Sequence, residues 1–334
     1  MQTSVAIVGV SGFSGAELVR LVAEDPQLAL AGAYSDRMRG DTIAKGVVVR
    51  PQAEAERAAE EASIVALATP AEVSAELAPK LLARGARVID LSGAFRLTDP
   101  AAFLHYYRFD HPEPSLLAEA HYGLPQVPEA AGDAPRIERA RLVANPGCYA
   151  TAAILSIAPL ASAGVLDDGP VFVDGKSGVT GAGRKLAERY LFTEVAENVS
   201  LYRVADHQHT PEIELAVERA SRRALHVTFA PHLLPVRRGL ITTCFGRLRA
   251  DADPARVDAI ARGAYEAFRA DGIVEVVPVD DVNIHAVANT PRAQVGFKAD
   301  SRTRSVVAAC AIDNLMKGAA SQAWENIRRM IGAS

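Results

Sequence analysis

The chain reads as an α/β protein with a doubly wound parallel sheet, followed by an α+β domain with a mostly antiparallel sheet. Two patterns predict this. In the N-terminal half, short β-branched apolar runs alternate with helical stretches, the spacing of successive βαβ units. After Pro170 several strands follow one another with one clear long helix among them, so strands and helices segregate. At 334 residues, 49% hydrophobic and 23% charged, the chain has the length and apolar content for two globular domains.

The elements follow in order. Thr3 to Val10 is β-branched and apolar, a strand buried on both faces. Ser11 to Gly15 turn the chain into a helix whose inner face carries Leu18, Leu21 and Val22. Leu28 to Tyr34 is the second strand and closes on Ser35-Asp36-Arg37. The Ala/Glu-rich stretch from Ala53 to Ala62 reads as a solvated helix. Ile64 to Ala68 is a strand, Ala71 to Ala83 a helix stopped by Gly85, and Arg87 to Leu91 a strand again. From Pro100 to Pro135 the chain is irregular, with short helices. Arg141 to Ala144 returns to strand, and Tyr149 to Ala163 is helical, with Pro159 expected to kink or end it. Strands follow over Val171 to Asp174, Leu225 to Ala230, Leu240 to Leu248 and Ile273 to Val279, with a helix over Pro254 to Ala270. Arg292 to Ala299 and Ser305 to Ile312 form a final antiparallel pair. These elements divide into a first domain over 1–147, a second over 148–312 and a C-terminal helix over 313–334.

Composition narrows the function. A net charge of −4 offers no general attraction for nucleic acid. No run of about 18 apolar residues is present to span a membrane. The first strand starts almost at Met1 with no leader-like segment before it. Cys148, Cys244 and Cys310 are too few and scattered for a disulfide framework or a metal cluster, so a reducing, cytoplasmic setting is expected.

Gly9, Gly12 and Gly15 stand between a strand and a helix in a G-x-x-G-x-x-G spacing. Glycines there allow a tight turn and close approach of backbone to a pyrophosphate, and the helix start supplies N–H donors. Gly9, Gly12, Phe13, Ser14 and Gly15 are therefore assigned to a dinucleotide, in a Rossmann-type arrangement. Asp36, about 21 residues past Gly15, suits an unmodified ribose and NAD. Ser35, Arg37 and Arg39 around it suit a 2′-phosphate and NADP. The reading leans to NADP(H), with NAD kept open by Asp36.

Asn145-Pro146-Gly147-Cys148 puts a cysteine where a strand ends and a helix begins, a position that favours thiolate. Cys244 and Cys310 lie within strand patterns and read as small buried hydrophobes. Two histidines, His207 and His209, precede a helix opened by Thr210 and Pro211, where an imidazole can serve as acid or base. Zinc is the competing reading of this His-x-His pair, but no third ligand stands nearby, and no metal is assigned. His105, His111, His121, His226, His232 and His285 read as structural. Gly175 to Arg184 reads as a flexible loop rich in hydroxyls and cations, and Asp90 to Arg96 sits at the end of a strand where ligands bind in open sheets. Both look suited to anions.

These residues resemble the N-acetyl-γ-glutamyl-phosphate reductases of arginine biosynthesis. The matching segments are V-G-V-S-G-F-S-G-A-E-L (8–18), D-L-S-G-A-F-R-L (90–97), Y-G-L-P (122–125), N-P-G-C-Y-A-T (145–151), G-K-S-G-V-T-G-A-G-R (175–184), H-Q-H-T-P-E-I-E (207–214), P-H-L-L-P-V-R-R-G (231–239) and A-I-D-N-L-M-K-G-A-A (311–320). They run from end to end. The resemblance implies NADPH-dependent reduction of N-acetylglutamyl phosphate to the semialdehyde, with phosphate released and a thioester on Cys148. It implies a histidine acid/base, placed on His209 with His207 as rival. Ser177, Gly178 and Asn314 join the cofactor set, with Asn314 returning to the nucleotide domain. Arg96, Asn145, Lys176, Arg184 and Glu212 form the substrate set. A homodimer or homotetramer built through the second domain's sheet is also implied. Gln126, Gln208 and Asp36 depart from the family pattern, which usually has Glu, Arg, and Arg or a neutral residue there. Competing readings are a reductase of aspartyl phosphate or of a carrier-bound aminoadipyl phosphate, and a dinucleotide-binding regulator without chemistry.

Overall fold

The computed structural model describes residues 2–127, 137–184 and 186–333. The chain forms two compact units, one of Met1–Leu124, Asp133–Gly147 and Ala319–Ser334, the other of Pro125–Gly132 and Cys148–Gly318. Residues 128–136 of the irregular segment expected over 100–135 lie outside the described residues.

The first unit runs β1 (Thr3–Val8), α1 (Phe13–Glu24), β2 (Leu28–Tyr34), α2 (Ala58–Glu61), β3 (Ile64–Leu67), α3 (Ala71–Ala83), β4 (Arg87–Asp90), α4 (Pro100–Tyr107), α5 (Ser115–Glu119), β5 (His121–Tyr122) and β6 (Leu142–Ala144). The six strands form one parallel sheet in the order β2-β1-β3-β4-β6-β5. Two apolar cores lie on its faces, as buried β1, β3 and β4 require: their residues alternate between the Ala6, Val8 and Val65 cluster and the Val5, Ile7 and Ile64 cluster. Strand order reverses between β1 and β3, which puts the ligand crevice of such a sheet at their carboxyl ends. Ala55, Ala58 and Ala62 are buried in the first core, so the stretch read as a solvated helix packs instead. Its alanines face the sheet, and its Glu and Arg side chains hide that face in the composition. Arg87 ties this unit together, donating to the carbonyls of Ala140, Ile137, Glu138 and Met330.

The second unit holds α6 (Cys148–Ser162), β7 (Val171–Gly178), α7 (Phe192–Val195), β8 (Ser200–Leu201), α8 (His209–Ser221), β9 (Val227–Leu234), β10 (Leu240–Arg247), α9 (Val257–Tyr265), β11 (Val274–Val276), β12 (Ala293–Asp300) and β13 (Ser305–Ile312). Its seven strands are ordered β11-β12-β13-β10-β7-β9-β8, parallel only in the β11–β12 and β7–β9 pairs. Buried from Tyr149 to Ala161, α6 is the core helix of the unit. It also continues past Pro159 to Ser162, where a stop was one of the expectations. Proline removes the N–H that would bond the Leu155 carbonyl. The buried hydroxyl of Tyr265 donates to that carbonyl instead, at 2.5 Å, so the helix continues with its acceptor satisfied.

The unit continues to Gly318, so Asn314 lies within it. A π-helical turn, Met316–Ala320, precedes the last helix, α10 (Ser321–Met330), which is part of the first unit. The carboxylate of Asp313 accepts from the backbone N–H groups of Leu315 and Met316 and holds the entry to that turn.

Candidate active site

At the end of β1 the backbone makes the turn the glycine spacing requires. Gly9 has φ +93°, and a Cβ there would stand 2.3 Å from the Ala68 carbonyl oxygen. A Cβ on Gly15 would stand 2.2 Å from the Gly9 oxygen. Side chains at either position would fill the cradle, so glycine is needed for steric reasons. Helix α1 opens on Gly12 with no side-chain cap, and a helix start of this kind, here with Phe13 and Ser14 in its first turn, favours an anion through its dipole. These residues fit a dinucleotide. Ser35 is buried and donates to the Ser11 hydroxyl at 2.7 Å, which ties the end of β2 to the turn. Asp36, Arg37 and Arg39 are exposed. One oxygen of Asp36 accepts the N–H of Gln52 at 2.9 Å, so this carboxylate braces the loop as well as facing solvent.

In the second unit, Cys148 is the first residue of α6 and half-buried, whereas Cys244 and Cys310 are buried in β10 and β13. Burial pushes the Cys244 thiol up to about 12 and the Cys310 thiol higher still, so both stay protonated. Gly318 packs against Cys148: a Cβ there would lie 2.7 Å from the Cys148 Cβ. Tyr149 roots the helix start in the unit's core. Its hydroxyl donates to the His232 carbonyl at 2.8 Å, and its ring meets Phe229 edge-on at 5.1 Å. Burial raises the Tyr149 and Tyr202 hydroxyls far above their usual range, and the charge of Cys148 acts on both in the same direction. Tyr202, which the sequence reading passed over, therefore belongs to the surroundings of Cys148.

The two histidines gather on Tyr149, with ring centroids 5.9 Å (His207) and 6.2 Å (His209) from its own and 4.6 Å from each other. Their environments differ. Burial, reinforced by the charge of His209, pushes His207 down to about 2, so it is neutral at physiological pH. Its Nδ1 accepts the backbone N–H of His209 at 3.2 Å, which places its proton on Nε2. His209 opens α8, and its Nε2 lies 3.8 Å from the Glu212 Oε2, one turn on. Glu212 is 1% exposed. Its place in the substrate set therefore puts a buried carboxylate beside His209. Thr210, expected to open this helix, is its second residue.

Several anion-site expectations change. The loop expected from Gly175 to Arg184 is strand up to Gly178, with Lys176 in register with Ile241 and His232. Lys176 is ion-paired to Asp174 at 2.5 Å, so its charge is locally neutralised. Ser177 is buried, donating to the Gly178 carbonyl. Only Val179–Ala182 forms a short turn, and Arg184 beyond it is exposed. Asn314 donates to the Thr180 hydroxyl and accepts the Gly239 N–H, tying that turn to the start of β10. In the first unit, Arg96 is buried and donates to the carbonyls of Asn145 and Leu91. Asn145 is fully buried and its amide bonds Ala319 and Asn326. Arg96, Asn145 and Asn314 thus hold backbone in place before they can hold a ligand.

The family described as "Semialdehyde dehydrogenase, NAD binding domain" matches residues 4–134, and "Semialdehyde dehydrogenase, dimerisation domain" matches residues 148–314. Aspartate semialdehyde dehydrogenase II from Vibrio cholerae superposes with a TM-score of 0.76 at 18% identity, covering 99% of both chains. Aspartate semialdehyde dehydrogenase with NADP from Candida albicans gives 0.70 at 13% identity, covering 100% of this chain and 99% of that one. These two show a shared fold. Sequence similarity is higher to N-acetyl-gamma-glutamyl-phosphate reductase from Bacillus mycoides (strain KBAB4), 37% identical over 98% of this chain and 95% of the relative. The enzyme of that name from Bacillus cereus (strain 03BB102) is also 37% identical, with the same coverage. With that identity along nearly its whole length, and with both semialdehyde dehydrogenase domains matched, the chain belongs to the N-acetyl-gamma-glutamyl-phosphate reductase family.

Proposed function

We propose that this chain reduces N-acetyl-γ-glutamyl phosphate to N-acetylglutamate semialdehyde with NADPH, releasing phosphate. The observation that carries the reading is Cys148 at the first position of a buried helix, in the same unit as a histidine backed by a buried carboxylate. His209 takes the thiol proton, and the thiolate attacks the acyl carbon. The acyl–oxygen bond breaks, phosphate leaves with the electron pair, and a thioester on Cys148 remains. The glycine turn at Gly9, Gly12 and Gly15 would hold the dinucleotide, which would supply hydride chemistry for reduction of the thioester carbon. His209 returns its proton to the resulting oxyanion, giving a thiohemiacetal. The same imidazole then takes back the hydroxyl proton as the carbon–sulfur bond breaks, freeing aldehyde and regenerating thiolate. Backbone N–H groups at the start of α6 stabilise the oxyanion. Arg184 and the turn before it are assigned to the substrate's anionic groups, and Arg37 and Arg39 to the 2′-phosphate of NADP.

The test runs the reaction backwards. With N-acetylglutamate semialdehyde and inorganic phosphate, NADP should be reduced at a rate that vanishes without phosphate and falls at least about tenfold with NAD, the cost of one lost charge-assisted contact set. Faster turnover of aspartate semialdehyde would replace the substrate assignment. No turnover with any aldehyde would favour a regulator.

We infer a homodimer through the sheet of the second unit. Phe172 and Phe245 stand opposite each other in the β7–β10 register, 52% and 43% exposed, and Val307 is in register with Phe245 on β13. Large aromatics in register on a sheet face suit burial by a second copy. Phe172→Glu should shift the protein toward monomer in sedimentation velocity; an unchanged sedimentation coefficient rejects this face. The half-exposed thiol suits a reducing cytoplasm, which fractionation of the source cells would check.

A further inference from the structure

We infer that Asn326, on the last helix, is a positioning residue for the nucleophile, acting through Asn145. This rests on the reading of Cys148 as nucleophile. Asn326 is fully buried. Its Nδ2 donates to the Gly123 carbonyl at 2.8 Å and to the Asn145 Oδ1 at 3.0 Å, and its Oδ1 accepts from Gln322 at 3.4 Å. Asn145 in turn donates through Nδ2 to the Ala319 carbonyl at 3.1 Å. Its backbone is held on both sides: the N–H donates to the Asp90 carbonyl at 2.8 Å, and the carbonyl accepts from Arg96 Nε at 2.8 Å. Every partner of Asn145 in this network belongs to the first unit.

The two ends of the network are the two chain segments that lead to the nucleophile. Asn145 stands three residues before Cys148, with only the Pro146-Gly147 turn between them. Ala319 directly follows Gly318, the residue whose Cβ position falls 2.7 Å from the Cys148 Cβ. One hydrogen bond, Asn145 Nδ2 to the Ala319 carbonyl, therefore ties the residue before the Pro146-Gly147 turn to the residue after Gly318. Asn326 fixes the orientation of that amide, because it donates to Oδ1 and so leaves only Nδ2 to face Ala319. A buried amide with one orientation holds its neighbours rigidly, since any other arrangement leaves a donor or acceptor unmet. A small displacement of a nucleophile costs rate steeply, up to about 10²-fold per Å. Asn326 touches no reacting atom. Its contribution is the fixed geometry of Cys148.

The test compares Asn326→Ala and Asn326→Ser with the parent enzyme, using iodoacetamide alkylation of Cys148 followed by mass spectrometry, together with steady-state kinetics. Cys244 and Cys310 are buried, so label on the folded protein reports Cys148, and Cys148→Ser is the blank. We expect Asn326→Ala to lower both the alkylation rate near neutral pH and kcat by about 10- to 100-fold, with KM within about twofold. Asn326→Ser, which keeps one donor, should fall between it and the parent. Should Asn326→Ala fail to fold, Gln322→Ala, one hydrogen bond further out, carries the same comparison with a smaller loss. Folded variants that alkylate and turn over like the parent overturn the inference. A parent whose Cys148 does not alkylate overturns the nucleophile reading instead.

Discussion

Replacing Cys148 by alanine should lower the phosphate-dependent reductase rate by at least about 10⁴-fold, equivalent to about 5 kcal/mol of barrier, while leaving NADP binding within about twofold. The two halves of this expectation come from different units. The glycine turn lies in the first, where Gly9 and Gly15 are shaped by contacts with Ala68 and with each other, none of which involves the thiol. Cys148 begins α6 in the second. What alanine cannot do is form the thioester. Without that intermediate, hydride would have to reach an acyl phosphate directly, and the step divided in two by the sulfur becomes one difficult step. Neither of the other thiols can substitute: Cys244 and Cys310 are buried within strands, and burial holds both as protonated thiols. The measurement is the rate of NADP reduction with N-acetylglutamate semialdehyde and phosphate, beside equilibrium binding of NADP. Turnover by Cys148→Ala within about tenfold of the parent would falsify covalent catalysis.

What the sequence made legible was the chemistry that depends on local backbone. The glycine spacing and the cysteine at a helix start are features of a few adjacent residues, and the structure places them as their spacing implies. Errors arose where a distant partner overrides local preference. Gly175 and Gly178 looked like loop, yet a Cβ at 175 would strike the Tyr149 ring at 2.7 Å and one at 178 the Val236 carbonyl at 2.7 Å. Those glycines are strand residues made necessary by what packs on them. Pro159 reads as a kink or stop, yet the helix continues, and the hydroxyl of Tyr265, more than a hundred residues away, meets the carbonyl that the proline leaves without its helical donor. The burial of Asn145 and Arg96 and their bonds with backbone carbonyls cannot be read from spacing either. The nearness of Glu212 to His209 is hidden in the same way, since the one helical turn between them is visible only once α8 is known to start at that histidine.

The histidines should separate by substitution. His209→Asn is expected to lower kcat by about 10²–10⁴-fold, the usual contribution of a positioned acid/base. His207→Asn should cost less than about tenfold, the size of one lost buried hydrogen bond, since its Nδ1 only accepts the His209 N–H. Glu212 explains the asymmetry: a buried carboxylate 3.8 Å from His209 Nε2 stabilises the imidazolium that forms when the thiol proton arrives. His207 has the opposite surroundings, burial foremost and then the charge of His209, which hold it near 2 and keep it from carrying a proton in the working range. That depression also has a stability consequence. Its native pKa lies below the unfolded value of about 6.5, so above that pH neither state binds the proton and stability is unaffected. As pH falls below about 6.5 the unfolded chain takes up a proton that the native state refuses, and stability drops by up to about 1.4 kcal/mol per pH unit. His207→Asn removes this titration, so its denaturant midpoint should fall less steeply between pH 6.5 and 4.5 than the parent's, despite a lower starting value. Parallel slopes, or a His207→Asn variant less active than His209→Asn, would reverse the assignment of the two imidazoles.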